Sequence, residues 1–296
     1  MMIKKICLWH IFVMLLNITS LPLYSGDIYS LWAGVSHTEG KGIGYSRGYT
    51  TLEAFFMPSK FTCHSFYPFL NIRGHGFDNL KLALNAGIGL RYVSKHSWIY
   101  GCNLFYDNRQ GSHRGFDQVG NPFQQMGVGL EALGPCWDFR LNLYLPFGKK
   151  VWHFSQTTFN DNLGITPIIK HKKQSTMRGA DAEWGANLRQ CKWGQYLEVK
   201  TYFAIGPYYL DQEKGSGRWG GKGRFTSYIN EYFFLEIRGS YDHVTNAIMQ
   251  GRVGVNIPFY PLSSVKSQSC HYDHCFYDKI SQPVQRVDIM PLHTTR

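Results

Sequence analysis

Apolar and polar residues alternate with a period of two along most of the chain after residue 48. In Lys81–Val93, leucine, alanine, isoleucine and tyrosine fill one set of alternate positions, and lysine, asparagine, glycine and arginine fill most of the other. Successive side chains of a β-strand point to opposite faces, so a strand separates the two sets whereas a helix would mix them. The pattern predicts an all-β fold whose strands have one apolar and one polar face.

Some segments show this alternation clearly, and others show it less regularly. The clear segments are 81–93, 98–107, 125–132, 139–145, 180–188, 197–205, 233–242 and 249–257. The weaker candidates are 49–57, 65–73 and 221–230, with a further one near 30–36. Each is about ten residues long, the length that a tilted strand needs to cross a bilayer. We therefore expect a transmembrane antiparallel β-barrel of about 12 strands.

The aromatic residues favour a membrane barrel over the alternative, a soluble β-sandwich. Aromatic side chains lie near the segment ends, at Tyr92, Trp98, Tyr106, Phe139 and Tyr241, as in the interfacial belts of membrane proteins. Only 17% of the residues are charged, against roughly 25% in soluble domains. Closure into a barrel also removes the sheet edges that lipid would leave unpaired.

The polar positions of the alternating segments should face the lumen of such a barrel. The predicted lumen-facing residues are Lys81, Asn85, Arg91, Asp107, Glu131, Arg140, Asp181, Glu183, Glu198, Lys200, Glu236, Arg238 and Arg252. They include charges of both signs, which would also permit a general pore.

The first residues have the architecture of a signal peptide. Lys4 and Lys5 form a positive region, residues 6–18 are mostly apolar, and cleavage near Ser25 is expected. A membrane anchor is the alternative, although the apolar stretch is shorter than the ~20 residues of a transmembrane helix. The predicted parts are a signal peptide at 1–25, an N-terminal lead-in at 26–44, the barrel at 45–260 and an irregular tail at 261–296.

The formal net charge of +11 comes from dispersed basic residues, which argues against a nucleic-acid partner. The densest group is Lys170, Lys172 and Lys173, within a long polar stretch at 149–177 that is predicted to be a solvated loop. Contact of these lysines with lipopolysaccharide or a host glycan is the alternative.

Several short motifs follow one another in a characteristic order. They are Tyr-Gly-Cys-Asn-Leu-Phe-Tyr-Asp at 100–107, a loop with His113 and Arg114, Gly-Val-Gly-Leu-Glu at 127–131, Asn-Leu-Tyr-Leu-Pro at 142–146 and Gly-Ala-Asp-Ala-Glu-Trp-Gly at 179–185. This order resembles the β-domain of inverse autotransporters, the intimin/invasin family, over roughly residues 45–260. The resemblance implies a barrel of about twelve strands in the outer membrane of a Gram-negative-type bacterium.

The resemblance also implies a surface anchor or interaction protein, with a general pore as the main alternative. Members of that family export and anchor a C-terminal passenger, usually built of Ig-like domains. The 37 residues after Phe259 are fewer than the about 100 of an Ig-like domain, so no passenger is expected. The tail is instead predicted to enter the lumen as a plug, as the passenger linker does in that family. Expected partners are outer-membrane lipid, the barrel-assembly machinery and a surface or host ligand.

Two C-terminal motifs carry further predictions. The residues that resemble the terminal signal read by the outer-membrane assembly machinery are Arg252, Gly254, Ile257 and Phe259. Cys270 and Cys275 could form a disulfide across a short loop, bind zinc together with His271 and His274, or remain free thiols.

No residues form a recognisable catalytic set. Ser112 and His113, or His113 with Asp107 and Asp117, could suggest an outer-membrane hydrolase. The sequence does not place a nucleophile beside a base, however, and loop residues of these types are usually solvated. We expect no enzymatic activity, no cofactor and no bound metal.

Overall fold

The computed structural model describes residues 30–57, 66–94, 97–111, 122–160, 166–191, 196, 199–212, 217–230, 232–260 and 279–295. The strands in these residues are β1 Ser30–Glu39, β2 Tyr49–Met57, β3 Phe66–Phe77, β4 Leu82–Val93, β5 Ile99–Gln110, β6 Pro122–Leu133, β7 Trp137–Phe147, β8 Val151–Asn160, β9 Thr166–Asn187, β10 Lys200–Gln212, β11 Arg218–Tyr228, β12 Phe233–Asp242, β13 Asn246–Tyr260 and β14 Leu292–Thr295. A short 3-10 helix, Leu188–Gln190, follows β9. Among these residues, no helix has the length and apolarity to cross a membrane.

Twelve of the strands form a closed antiparallel β-barrel. Neighbouring strands pair in chain order from β1 to β7, β7 pairs with β9, and the order continues from β9 through β13. β13 pairs with β1, from Ala33↔Ile257 to Glu39↔Gly251, and this pairing closes the ring. The predicted all-β, antiparallel barrel of about 12 strands is confirmed.

The two faces of each barrel strand differ as the alternation predicts. On β6, Leu130 points outward and is 54% exposed, whereas Glu131 points into the lumen and is 6% exposed. The outward side chains of the other barrel strands are mostly apolar, and the inward ones are mostly polar or aromatic. An apolar outer surface around a polar interior is what a strand barrel needs in lipid.

Outward aromatic residues form a belt near each end of the barrel. The end where β1 begins and β13 ends, called here the terminal end, carries Tyr92, Trp98, Tyr100, Phe139 and Trp184. The rings of Trp98, Phe139 and Trp184 stack in a row with neighbouring centroids 6.4 Å apart. The opposite end carries Tyr106, Phe147, Tyr209, Trp219 and Tyr241. Amphipathic rings at two levels match the two interfaces of a bilayer.

β9 is 22 residues long and extends beyond the barrel. Its second half lies in the barrel wall between β7 and β10. Its first half pairs with β8 in a hairpin, and β14 pairs with it at Lys173–Thr176. We call this side of the barrel the hairpin end. The prediction of a long loop at 149–177 was therefore wrong; it failed because β8 and the first half of β9 show no period-two alternation.

The barrel also begins earlier than predicted. The boundary between a lead-in at 26–44 and a barrel at 45–260 was wrong, because β1 starts at Ser30 and completes the ring. Apolar residues occupy both faces at the start of β1 and polar residues occupy both faces at its end, so the alternation is weak there. The predicted tail is irregular between residues 281 and 291, but it ends in the short strand β14. The predicted signal peptide lies outside the described residues.

Candidate functional site: the plugged lumen

Residues 279–295 run through the lumen from the terminal end to the hairpin end, and we call this segment the plug. At its start, Lys279 donates hydrogen bonds to the backbone oxygens of Gly134 and Pro135, in the turn between β6 and β7. At its finish, β14 pairs with β9 beyond the barrel. Between these points the plug contacts inward side chains of β3, β5, β7, β11 and β12, which surround it. The prediction that the tail enters the lumen is confirmed for these residues.

An apolar layer surrounds the plug at the terminal end. Ile280 and Val284 pack against inward side chains of β1 to β6. These side chains are Trp32, Phe55, Met57, Tyr67, Phe69, Val93, Ile99, Phe105 and Leu133. Arg91 lies beside this layer and donates to the carbonyl oxygens of Ile280 and Gln282, at 2.5 and 2.7 Å. The Arg91 guanidinium therefore donates to carbonyl oxygens of the plug in a region from which apolar side chains exclude water.

A buried ion pair attaches the middle of the plug to β5. Arg286 donates two hydrogen bonds to Asp107, at 2.9 and 2.5 Å, and neither side chain is more than 3% exposed. The Arg286 guanidinium also lies 4.4 Å from the centre of the Phe105 ring. Bidentate arginine–carboxylate pairs fix geometry as well as charge. This pair therefore sets the position of residue 286 along the barrel axis.

A second group of charges holds Asp288, two residues further along the plug. Its carboxylate accepts hydrogen bonds from Arg73 at 2.6 Å and from Arg238 at 3.1 Å, and it lies 3.8 Å from Arg252. Arg73 also pairs with Glu53 at 2.6 Å. Removing one partner of a buried pair is costly because the charge that stays behind remains desolvated. Asp288 of the plug thus provides the carboxylate that neutralises part of the positive charge of these barrel-wall arginines.

A second apolar layer surrounds the plug at the hairpin end. Ile289, Met290 and Leu292 of the plug pack against the barrel wall. Their apolar partners on the barrel strands are Tyr49, Phe77, Ala83 and Phe123. Arg109 donates to the carbonyl oxygens of Met290 and, at 3.0 Å, of Gly44. The charged middle of the lumen is therefore enclosed between two apolar layers.

The structure places most of the predicted lumen-facing residues inside the barrel. The residues that point inward and form hydrogen bonds or ion pairs there are Asn85, Arg91, Asp107, Glu131, Arg140, Asp181, Glu183, Glu236, Arg238 and Arg252. Lys200 lies at the start of β10, with its Nζ 5.5 Å from the centre of the Tyr228 ring. Lys81 lies one residue before β4, in the turn where its carbonyl accepts a hydrogen bond from the Phe77 amide, and its lumen-facing role stays a prediction. Glu198 lies outside the described residues.

Several residues that hold the plug were not predicted from the sequence. Arg73 was missed because the lumen-facing side of β3 also carries Tyr67 and Phe69, so that this face is not uniformly polar. Arg286 and Asp288 lie in the tail, where no periodicity indicates which residues point at the wall. Their opposite charges, two residues apart, were the only available signal, and their partners are distant in the sequence.

Part of the lumen beside the plug is unfilled. A cavity of about 140 Å³ lies between the plug and β9 to β12. Its wall includes Lys222 and Arg224, which pair with Asp181 and Glu183 respectively, each at 2.7 Å. The rest of the wall is largely apolar, and the cavity is large enough to hold water beside these charged side chains.

A disulfide joins two connections at the terminal end. Cys136, in the turn between β6 and β7, is bonded to Cys191, just after the 3-10 helix, with Cα atoms 5.1 Å apart. The same turn accepts the hydrogen bonds of Lys279, so the disulfide supports the beginning of the plug. The sequence permitted disulfides but did not indicate this pair; the predicted Cys270–Cys275 bond lies outside the described residues.

Thr51, His75 and Asn85 form a hydrogen-bonded row like that of a nucleophile, a base and an orienting group. Thr51 Oγ1 lies 2.9 Å from His75 Nδ1, and His75 Nε2 lies 2.5 Å from Asn85 Oδ1. All three are at most 2% exposed, and Asn85 also donates to Asp107 at 2.7 Å. The row belongs to the packed lumen. Of the predicted hydrolase candidates, Asp107 is paired with Arg286, and Ser112, His113 and Asp117 lie outside the described residues.

The predicted assembly signal lies on β13, the last strand of the barrel. Arg252 and Gly254 face the lumen, whereas Ile257 and Phe259 point outward and are 51% and 37% exposed. Two apolar outward side chains near the end of the last strand are available to lipid or to another protein. Recognition by the assembly machinery stays a prediction.

Comparison with known proteins adds a family resemblance. Residues 69–163 match the family model of the inverse autotransporter β-domain. The matched stretch begins within β3, includes β4 to β8, and contains the motifs at 100–107, 127–131 and 142–146. The predicted resemblance is therefore confirmed over about a third of the chain. No curated protein matches it.

Solved structures give a likeness of fold. A protein from a study of the in-meso crystallization of membrane proteins has a TM-score of 0.55 and 13% identity, and the match covers 89% of this chain and 100% of that one. The β domain of the Bordetella autotransporter Brka has a TM-score of 0.39 and 13% identity, covering 79% and 100% of the two chains. Outer membrane phospholipase A from Escherichia coli has a TM-score of 0.40 and 10% identity, covering 80% and 98%. At these identities, only the first likeness bears on the fold, and none bears on function.

Proposed function

We propose, from the barrel, its plug and the match to the inverse autotransporter β-domain, that this outer-membrane protein carries its own C-terminal segment through the lumen and anchors it at the cell surface. The path of the plug is the observation that carries the proposal. The plug runs from the end where β13 stops, through the lumen, to the opposite end, where it pairs with β9. Barrels of this type have short turns on the periplasmic side and longer extracellular loops. The hairpin end, with its extension of β8 and β9, would then face outward.

In this proposal the displayed surface is a three-stranded sheet. β8, the first half of β9 and β14 pair beyond the barrel, so the plug becomes part of the external structure. Its role is that of a surface anchor or interaction protein, with a surface or host ligand as the partner. Outer-membrane lipid would contact the apolar outer face, and the assembly machinery would read β13.

The position of the C-terminus provides a direct test. An epitope placed after Arg296 should be labelled on intact cells, whereas an epitope in the turn between β6 and β7 should be labelled only after permeabilisation. Single-channel recording should show that the full chain conducts little and that deletion of residues 279–296 raises the conductance. Labelling of the C-terminal epitope only in permeabilised cells would refute surface display.

A general pore is the second candidate, and the cavity beside the plug favours it. Stable ion conductance of the full chain, unchanged by the deletion, would support the pore over the anchor. We propose no enzymatic role, since the Thr51–His75–Asn85 row is enclosed by the wall and the plug. A lipid hydrolase activity lost in Thr51→Val would contradict this part of the proposal.

A further inference from the structure

Three side chains with metal-ligand chemistry meet on the outer surface of the barrel at the hairpin end. His37 and Glu39 point outward from the end of β1, and Asp78 begins the turn between β3 and β4. One ligand atom of each residue lies within 4.8 Å of those of the other two. His37 is half-buried, and both acids are exposed. The group therefore lies at the hairpin end of the outer face, in contact with solvent.

A hydrogen bond fixes the orientation of the His37 ring. Its Nδ1 lies 3.0 Å from Thr50 Oγ1, and its Nε2 lies 3.4 Å from Glu39 Oε2. In a neutral imidazole one nitrogen donates and the other accepts. If Nδ1 donates to Thr50, the lone pair of Nε2 faces carboxylate oxygens, and only a cation or a proton makes that arrangement favourable. Histidine ligands of metals are commonly held in this way by a hydrogen bond from the other ring nitrogen.

Gly48 allows the two carboxylates to converge. A Cβ atom at Gly48 would lie 2.7 Å from Glu39 Oε2 and 2.7 Å from Asp78 Oδ2, so any side chain there would displace them. The Asp78 amide donates to the Gly48 carbonyl at 3.1 Å, which holds the turn against β2. Within the part of the chain that the structure describes, neither carboxylate forms an ion pair with a lysine or an arginine. A chain with a net charge of +11 thus brings two acids together, and among the described residues their ion-pairing neighbour is the imidazole of His37.

The surrounding surface leaves room for further ligands. Gly76 is the cross-strand partner of Thr50, and Gly251 is the partner of Glu39. A Cβ atom at either glycine would have nothing within 4 Å. Water molecules could therefore complete the coordination of an ion bound by the three side chains.

We propose that His37, Glu39 and Asp78 bind one divalent cation of the borderline class, for which Zn²⁺ is the probe. Imidazole nitrogen suits Zn²⁺, Cu²⁺ and Ni²⁺, whereas Ca²⁺ and Mg²⁺ prefer sites made of oxygen ligands. The bound ion joins the end of β1 to the turn between β3 and β4. It offsets the repulsion between the two carboxylates and stabilises the rim of the barrel.

Calorimetric titration of the full chain in detergent with Zn²⁺ tests the proposal. The wild type should bind one more Zn²⁺ than His37→Gln, and Asp78→Asn should weaken that site at least tenfold. Thr50→Val removes only the orienting hydrogen bond and should weaken it roughly 10–100-fold. His243→Gln, an exposed histidine at the same end, is the matched control and should change nothing. Zinc bound by the segment 270–275 would be common to all these variants.

Two results would overturn the proposal. One is an equal number of Zn²⁺ sites, with equal affinity, in the wild type and in His37→Gln. The other is tighter binding of Ca²⁺ than of Zn²⁺ at a site that requires Asp78 but not His37, since the ion would then be a hard cation. Gly48→Ala gives an independent check, because it alters no ligand yet should abolish the site. A difference in the gel mobility of the Gly48→Ala protein before and after boiling reports whether the barrel of this variant has formed.

Discussion

The ion pair between Arg286 and Asp107 offers a quantitative test of how the plug is held. Arg286→Met removes the guanidinium and leaves the Asp107 carboxylate buried. Breaking a buried pair costs about 3–5 kcal/mol. The value here should be near the lower limit, because Asn85 and Gln125 still donate to Asp107, at 2.7 and 3.2 Å. A loss of about 3 kcal/mol in plug docking corresponds to a roughly 100-fold larger undocked population.

Single-channel recording in planar bilayers measures this population as the fraction of time spent in an open state. The matched control is Arg178→Met, which breaks an ion pair with Asp211 in which the arginine side chain is 70% exposed. This pair joins β9 to β10 and does not involve the plug, and its arginine is largely solvated, so the variant should open as rarely as the wild type. The double variant Asp107→Asn/Arg286→Met removes both charges and should recover part of the loss. An unchanged open fraction in Arg286→Met would refute the assigned role of the pair.

Three further predictions concern other parts of the molecule. Cys136→Ser with Cys191→Ser removes a disulfide that spans 55 residues and should lower stability by about 4 kcal/mol, measured as an earlier urea midpoint for the loss of the compact gel band. Leu141→Arg puts a charge at the middle of the outer face and should cost about 2–4 kcal/mol in folding into vesicles, whereas Leu141→Met should fold normally. Burial and the nearby Arg218 lower the pKa of His293, so the neutral form is favoured in β14. The pairing of β14 should then be intact above about pH 6.5 and weaken as the pH falls below that value. The measurement is deuterium exchange of the β14 amides, corrected for intrinsic rates, which should become faster at low pH. In His293→Gln this pH dependence should be absent.

The barrel could be predicted from the sequence because lipid and lumen impose opposite demands on successive residues. On β6, Met126, Val128 and Leu130 face lipid and alternate with Gln125, Gly127, Gly129 and Glu131, which yields an unambiguous period of two. β8 and the first half of β9 lie beyond the barrel, where no apolar medium selects one face. Their hydrogen bonds come from hairpin pairing, which leaves no mark in the hydropathy of the sequence.

The plug could be predicted as an occupant of the lumen but not residue by residue. Its environment changes along the barrel axis, from an apolar layer at Ile280 and Val284, through charges at Arg286 and Asp288, to a second apolar layer at Ile289. Which plug residues are apolar or charged depends on the wall residues at the same level of the barrel axis. It does not follow a helical or strand period. Arg91 is a further example, because two of its acceptors are plug carbonyls, which every residue type provides.

These two kinds of contact should respond differently to a change of register. Arg91 can find backbone carbonyl acceptors at any register of the plug, so these hydrogen bonds do not depend on the plug sequence. The Arg286–Asp107 pair can form at one register only. Insertion of Gly-Gly after Pro283 would shift Arg286 away from Asp107 while leaving the carbonyls of Ile280 and Gln282 in place. The open fraction should then rise about as much as in Arg286→Met, while the same insertion between residues 265 and 266 should not alter it. Equal, low open fractions for both insertions would mean that backbone contacts and apolar packing alone determine where the plug stops.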